Sequence, residues 1–144
     1  AGNKLLRHRA VFFDGTSPPW SFDAATGIYY QVADETDGFG ATITIGTQPA
    51  SATVATGAPA SFTVAATRAP AVGTLTYAWQ LSTNGGTSYA PITNGGVYSG
   101  ATSTTLAISD ATGLTDNRYR VVVSLTGADA APVTSSAAIL TVTP

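Results

Sequence analysis

Cysteine is absent from this chain of 144 residues, and charge is scarce: Lys, Arg, Asp and Glu together make up 10% of it. Without a thiol, neither a disulfide framework nor a thiolate metal site is available. With a net charge of −2, the chain is a poor candidate for tracking along nucleic acid, where affinity comes from neutralising phosphates. No run of residues approaches the ~18 apolar positions of a membrane span. The start, Ala1 to Arg9, lacks an apolar stretch long enough for a signal-peptide core. The one histidine, His8, sits between Arg7 and Arg9, so no histidine-centred triad has its usual sequence surroundings. No cofactor, nucleic acid or membrane insertion is expected. If Ala1 follows a removed initiator methionine, this is a whole protein made in the cytoplasm; if it is a processed end, that inference does not hold.

What is present divides near residue 45. Hydrophobic content of 44% suits a globular core. Residues 1–45 hold Lys4, Arg7 and Arg9 against Asp14, Asp23, Asp34, Glu35 and Asp37. They also hold more than half of the aromatics: Phe12, Phe13, Trp20, Phe22, Tyr29, Tyr30 and Phe39. Residues 46–144 carry only Arg68, Arg118 and Arg120 against Asp110, Asp116 and Asp129. A neutral back two-thirds follows a charged, aromatic front third, which implies two different jobs. Solubility of the neutral part must come from Thr, Ser, Asn and Gly.

Period-two alternation bounded by turn residues runs through the C-terminal part and predicts strands. The first is Thr42–Thr47, stopped by Gln48-Pro49, with Thr53–Val54 expected at an edge. Ala60–Ala66 sets Phe62 and Val64 on one face. Leu75–Leu81 sets Leu75, Tyr77, Trp79 and Leu81 on one face, with Thr76, Ala78 and Gln80 opposite. Asn84-Gly85-Gly86 is a strong turn, because glycine and asparagine tolerate positive φ. Thr104–Ile108 offers Leu106 and Ile108 inward, Arg118–Thr126 offers Tyr119, Val121, Val123 and Leu125, and Ala137–Thr143 offers Leu140 and Val142. Seven short strands separated by turns indicate a two-layer sandwich.

Trp79, followed forty residues later by Tyr119-Arg120-Val121, sharpens that reading. In immunoglobulin domains a corner tyrosine stands two residues before the second cysteine; here Tyr119 precedes Val121, with Asp116 as the turn residue upstream. Seven residues on from Gly57, Val64 takes the place of the first cysteine. Each buried valine contributes ~1.5–3 kcal/mol, together comparable to the ~2–5 kcal/mol lost with a native disulfide. Replacing both cysteines suits folding in a reducing compartment. The expected fold class is all-β, an immunoglobulin-like β-sandwich over residues 43–144 preceded by a short β-rich N-terminal arm or subdomain over 1–42. The structural core is assigned to Val64, Trp79, Tyr119 and Val121.

Several runs carry a family resemblance. They are Leu75-Thr76-Tyr77-Ala78-Trp79-Gln80, the hairpin Ser82 to Tyr89, Ala101-Thr102-Ser103-Thr104-Thr105-Leu106, Tyr119-Arg120-Val121-Val122-Val123 and Ser135 to Val142. Together they resemble the cysteine-free Ig-like modules of bacterial surface proteins and tailed-phage virion proteins. The resemblance covers residues ~43–144 and is specific for fold. In phages such modules are appended to capsid, tail and fibre proteins, or form outward-facing parts of capsid decoration proteins; in bacteria they occur mostly as repeats in large secreted chains with a leader. A single module without repeat or leader favours the phage context.

Residues 1–42 resemble no named family. Ala10–Phe13, Trp20–Phe22 and Ile28–Val32 are expected as three short strands, a unit too small to bury a core of its own. Its aromatics need a partner, which is either the sandwich or another protein. Tyr and Trp are enriched at interface hot spots, and a basic arm suits an acidic protein surface. Candidate docking residues are Lys4, Arg7, Arg9, Phe12, Phe13 and Trp20.

Other motifs have ordinary explanations. Asp34, Glu35 and Asp37 beside Gly38 lack the twelve-residue ligand spread of a calcium loop and read as solvated turn acids. Asp14 and Asp23 sit in turn-forming contexts rather than as a glycosidase pair. Asn84-Gly85-Gly86 and Asn94-Gly95-Gly96 precede no helix, which removes phosphate cradling. Tyr89 and Tyr98 are candidate glycan contacts, though such tyrosines more often cover a sheet edge. No nucleophile–base pair can be named, so no enzyme is expected.

The leading expectation is a virion structural protein of the capsid decoration or cement type, made in the host cytoplasm. Its arm would grip the major capsid or another virion lattice while the module projects outward, with self-association and weak host-surface glycan binding as additions. The alternatives are a tail- or fibre-associated protein, or a bacterial surface or secreted glycan-binding, adhesive module.

Overall fold

Every regular element of the computed structural model, which describes residues 20–23, 28–31 and 41–144, is a strand, and the long ones alternate apolar and polar residues. Two compact units divide the chain, Ala1–Asp37 and Gly38–Pro144. In the first, β1 (Trp20–Asp23) pairs antiparallel with β2 (Ile28–Gln31), running from Trp20 opposite Gln31 to Asp23 opposite Ile28. The strand expected at Ala10–Phe13 lies outside the described residues.

The second unit contains β3 (Thr42–Thr47), β4 (Ala52–Ala55), β5 (Ala60–Thr63), β6 (Ala65–Ala69), β7 (Thr74–Ser82) and β8 (Ala90–Pro91). β9 (Tyr98–Ser99), β10 (Thr105–Ile108), β11 (Arg118–Thr126), β12 (Val133–Thr134) and β13 (Ala138–Thr143) complete it. One layer has the strand order β4-β13-β11-β7-β8, with β12 also on β11. The other is made of β5-β10-β9 and of β3-β6. All pairings are antiparallel except β4 with β13, which is parallel. This two-layer, Greek-key-like arrangement is the immunoglobulin-like sandwich.

The inward positions expected on the long strands are the buried ones. Tyr119, Val121 and Val123 of β11 are fully buried, Val121 stands opposite Trp79 of β7, and Phe62, Val64, Leu106, Ile108 and Leu140 close the same core. Leu75, Tyr77, Leu81, Leu125 and Val142 pack around it while half-buried. Thr53–Val54 lies within β4, an edge strand as expected.

The run Ala60–Ala66 is not one strand, as its alternation suggests. It divides at Val64, whose N–H donates to the Thr104 carbonyl at 2.9 Å in continuation of the β5–β10 register, while Ala65 onward pairs with β3. β3 responds with a register shift between Ile45 and Thr47, at Gly46, so β6 pairs with β3 while β5 pairs with β10. Both Phe62 and Val64 still face the core, 1% and 2% exposed. The change of neighbour from β10 to β3 therefore leaves the parity of the side chains intact, with the bulge taken up by β3. The short strands β8, β9 and β12 carry too few residues for an alternation signal.

Trp79 is the most constrained residue of the core. Its indole Nε1–H donates to the Ser103 carbonyl at 2.9 Å, its backbone N–H donates to Ala101 at 3.0 Å, and its carbonyl accepts from Ile92 at 2.9 Å. The turn that supplies two of those acceptors begins at Gly100, whose φ is +74° and where any Cβ would collide with the Thr105 carbonyl.

Two stability measurements follow. Gly100→Ala will lower the denaturation midpoint by clearly more than Gly113→Ala, since Gly113 shares the positive φ of +73° but has open space around it; conformational cost alone is about 1–2 kcal/mol. Val64→Ala will cost about 2 kcal/mol or more, the transfer loss plus the cavity left behind. Equal midpoints for the two glycine variants would remove the packing role given to the Gly100 turn.

Candidate functional site

Since β7 and β11 turn alternate residues to the core, Gln80, Arg118, Arg120 and Val122 face outward from the same sheet. Register sets Arg120 opposite Gln80 and Arg118 opposite Ser82. Beyond Ser82 the chain reverses through Asn84-Gly85-Gly86, with φ of +71° at Gly85 and +91° at Gly86. A polar network holds this reversal. The buried Ser82 hydroxyl donates to Asn84 Oδ1 at 2.8 Å and accepts from the Gly86 N–H at 2.9 Å. Asn84 Nδ2 donates to Ser88 Oγ at 2.8 Å, and its Oδ1 accepts the Ser88 N–H at 3.0 Å.

The reversal delivers Tyr89 to Arg120, whose guanidinium carbon lies 3.7 Å from the ring centroid. Such a cation over an aromatic face contributes about 0.5–1 kcal/mol where solvent reaches it. Arg120 Nε–H also donates to Gln80 Oε1 at 2.8 Å, so the guanidinium is fixed both in plane and face-on. A Cβ at Gly86 would stand 3.3 Å from the Tyr89 hydroxyl and 3.4 Å from Arg118 Cδ, which shows that both side chains converge above that glycine. Gln80, Gly86, Tyr89, Arg118 and Arg120 therefore form one cationic–aromatic cluster at the β7–β8 end of the module. Of these, the sequence singles out only Tyr89, as a candidate glycan contact; the i, i+2 spacing of the two arginines around buried Tyr119 puts them on the outer face of one strand.

Tyr98 belongs elsewhere. It lies in β9, in the other layer, and its hydroxyl meets that of Tyr119 at 3.3 Å. The Tyr119 ring is fully buried, stacked on Phe62 at 4.7 Å and tilted against Tyr98 at 6.3 Å. A corner tyrosine ordinarily bonds an upstream backbone group, whereas this one meets a second tyrosine. Burial, and then the Tyr98 hydroxyl, push the Tyr119 phenol above the ordinary tyrosine range, against a smaller opposing contribution from Asn117. Tyr89 and Tyr98 thus stand on different layers and form no common stacking platform.

Val64, Trp79, Tyr119 and Val121 lie together in one buried cluster. Lys4, Arg7, Arg9, Phe12 and Phe13 fall outside the described residues, and Trp20 is described only as backbone in β1. Among the described residues no group of three His, Cys, Asp or Glu is placed to hold a metal ion, and no helix is long and apolar enough to cross a membrane. A shallow groove of about 560 Å³ runs beside β4, β5 and β10, lined by Val54, Pro59, Ala60, Ser99, Ala107 and Ile108. It contains no ionisable group, so it offers shape without acid–base chemistry.

Sandwich and core together define an Ig-like module. The chain belongs to the family described as Domain of unknown function (DUF8696), which matches residues 44–144. No curated protein matches the chain by sequence. Among solved structures it is similar to titin domain M7, with 26% identity over 74% of this chain and 99% of that one and a TM-score of 0.52. It is also similar to the N-terminal Ig1-2 module of the Drosophila receptor protein tyrosine phosphatase DLAR, with 23% identity, 71% and 49% coverage and a TM-score of 0.53. A third likeness is to the N-terminal four Ig domains of Dscam1 isoform 4.44, with 21% identity, 71% and 24% coverage and a TM-score of 0.55. The chain spans about half of the DLAR fragment and a quarter of the Dscam1 fragment.

The tyrosine pair makes a pH prediction. An acid whose pKa is raised in the folded state stabilises the fold fully below its unfolded pKa, about 10 for tyrosine. Stability then falls as pH rises through that value, because the unfolded chain releases the proton that folded Tyr119 keeps. Denaturation midpoints should drop above that pH, and the drop should shrink in Tyr119→Phe. Tyr98→Phe should cost about 1 kcal/mol at neutral pH by removing the hydroxyl that Tyr119 meets at 3.3 Å. An unchanged midpoint in Tyr98→Phe would mean that another group satisfies Tyr119.

Proposed function

We propose that this chain is a non-catalytic protein-interaction module serving as a virion structural component of the capsid decoration type. The observation that carries this reading is the division of labour along the chain. A charge- and aromatic-rich first third is joined to a neutral Ig-like unit in which three ionisable side chains hold strands and turns together. Asp110 accepts the Thr112 N–H at 2.8 Å, Arg68 Nε–H donates to the Val72 carbonyl at 2.9 Å, and Arg120 is tied to Gln80 and Tyr89. None of these groups is positioned against a nucleophile, and each serves to fix a rigid surface. A rigid module presents contact area with little ordering cost, which suits binding rather than turnover.

In this reading Lys4, Arg7, Arg9, Phe12, Phe13 and Trp20 dock on the capsid or another virion lattice, the module projects into solvent, and the assembled particle is the site of action. The similarity to Ig domains of multi-domain receptors and of titin supports the interaction role through the fold alone.

Light scattering of the purified chain, alone and mixed with undecorated phage heads, is the direct test. Co-migration with heads is expected, as is its loss on deletion of residues 1–42 while the sandwich melts cooperatively. A chain that ignores heads, or a truncated form that still binds them, would overturn this assignment.

A further inference from the structure

We propose that the Arg118–Arg120–Tyr89 cluster is a docking site for an extended acidic protein segment bearing carboxylates two residues apart. This surface is separate from the N-terminal docking described above, and it rests on the module being an interaction domain rather than on which lattice the N-terminal region meets.

Geometry argues first. Arg118 and Arg120 are two residues apart on one face of β11, so their bases are separated by about 6–7 Å at the rise of a strand. Carboxylates at i and i+2 of an extended segment have the same separation, so the two rows match in register. Arg120 is also held in advance. Its Nε–H is taken by Gln80 at 2.8 Å and its face by Tyr89 at 3.7 Å. The outer edge of the fork, with its two terminal amino groups, is the part those contacts do not use, and it is the edge that binds a carboxylate bidentately. The hairpin that positions Tyr89 is itself fixed by the Ser82–Asn84–Ser88 network. Little side-chain freedom is therefore left to lose on binding.

Charge argues second. Residues 41–144 contain three arginines, three aspartates and no glutamate, and two of the three arginines are in this cluster. Asp110 is engaged with Thr112. On so neutral a module, two cations on one face of one strand favour an anionic partner.

Shape chooses protein over sugar. The outward neighbours on the same sheet are small, Ala78 on β7 and Val122 and Ser124 on β11, and do not rise to wall in a ligand. Small-ligand sites are concave, whereas a flat sheet face suits a protein segment lying across it. One face of Tyr89 is already covered by Arg120, which removes that face as a platform for a pyranose ring. At the sheet edge β8 ends in Pro91, which has no N–H to offer, so the partner is read through side chains rather than by adding a strand there. The cluster lies at the Ser82 end of β7, where β13 also finishes, and away from Ala41, which is bonded to Asp129 at the opposite end. A partner can therefore reach it without approaching the point where the chain enters the sandwich.

The test uses the full chain, titrated by NMR with a capped Glu-Thr-Glu-Thr-Glu peptide, with its Gln-for-Glu counterpart and with a polyuronate oligosaccharide. Saturable shifts at Gln80, Tyr89, Arg118 and Arg120 are expected with the acidic peptide only, weakening as salt rises. Arg118→Gln and Arg120→Gln should each weaken binding by at least about fivefold. Both side chains are half-buried on the outer face of β11, and thermal midpoints will report whether each variant is folded; Arg118→Gln, which spares the contacts to Gln80 and Tyr89, is the safer of the two. Equal binding of the Gln peptide, indifference to both arginine variants, or arginine-dependent binding of the polyuronate in place of the peptide would each overturn the proposal. Because no particle is involved, failure here is distinguishable from failure of the capsid-binding assay.

Discussion

The indole of Trp79 is the constraint on which the sandwich depends. A domain with a disulfide can tolerate slack between its layers, because a covalent bond limits how far they separate. Here Val64 and Val121 fill the equivalent positions and no covalent bond joins the layers. The layers are tied instead through one residue that uses all of its polar capacity. Trp79 bonds Ala101 and Ser103 on the segment leading into β10, and Ile92 on the segment following β8. Buried polar groups are costly unless paired, so the tryptophan fixes not only its own strand but the loops that must meet it. The tight turn at Gly100, which allows a side chain no room, is a consequence of that demand.

How much of this could be read from the sequence depended on whether the information was local. The long strands β7 and β11 each run nine residues, and their alternation identified which side chains are buried. Trp79, Tyr119 and the two valines were legible because each keeps a fixed relation to its own strand. The division at Val64 was not, because it lies in which distant strand each half meets, β10 before it and β3 after, and alternation continues unbroken across it. Strands of two residues leave no periodic trace. The pairing of Tyr98 with Tyr119 is likewise a meeting of two layers, visible only once both are built. Arg118 and Arg120 had the spacing of a shared face, yet the significance of that spacing emerged only when the hairpin brought Tyr89 over the guanidinium.

Scarcity of charge shapes the surface as strongly as the core shapes the interior. Threonine, serine and asparagine keep the module wet while also bonding its turns, as in the Ser82–Asn84–Ser88 network and the Ser135 hydroxyl, which accepts the Val121 N–H at 3.0 Å. Short polar side chains bonded to nearby backbone lose little entropy on folding and leave few long flexible groups on the surface. Against such a background two outward arginines on one strand are conspicuous, and their contacts give them a fixed direction rather than a diffuse positive field.

The parallel pairing of β4 with β13 has a mechanical consequence. The chain enters the sandwich at Ala41, bonded to Asp129 at one pole, and finishes β13 at Thr143, whose carbonyl accepts from Thr56 at the other. Four residue pairs, from Ala52–Leu140 to Ala55–Thr143, lie side by side between those poles. Tension applied along the chain would run parallel to these strands and load their hydrogen bonds in shear, all together, where a peeling geometry would break them one at a time. The module is built as a strut on the order of 30 Å long, the span of its nine-residue strands, with its strongest resistance along its own axis.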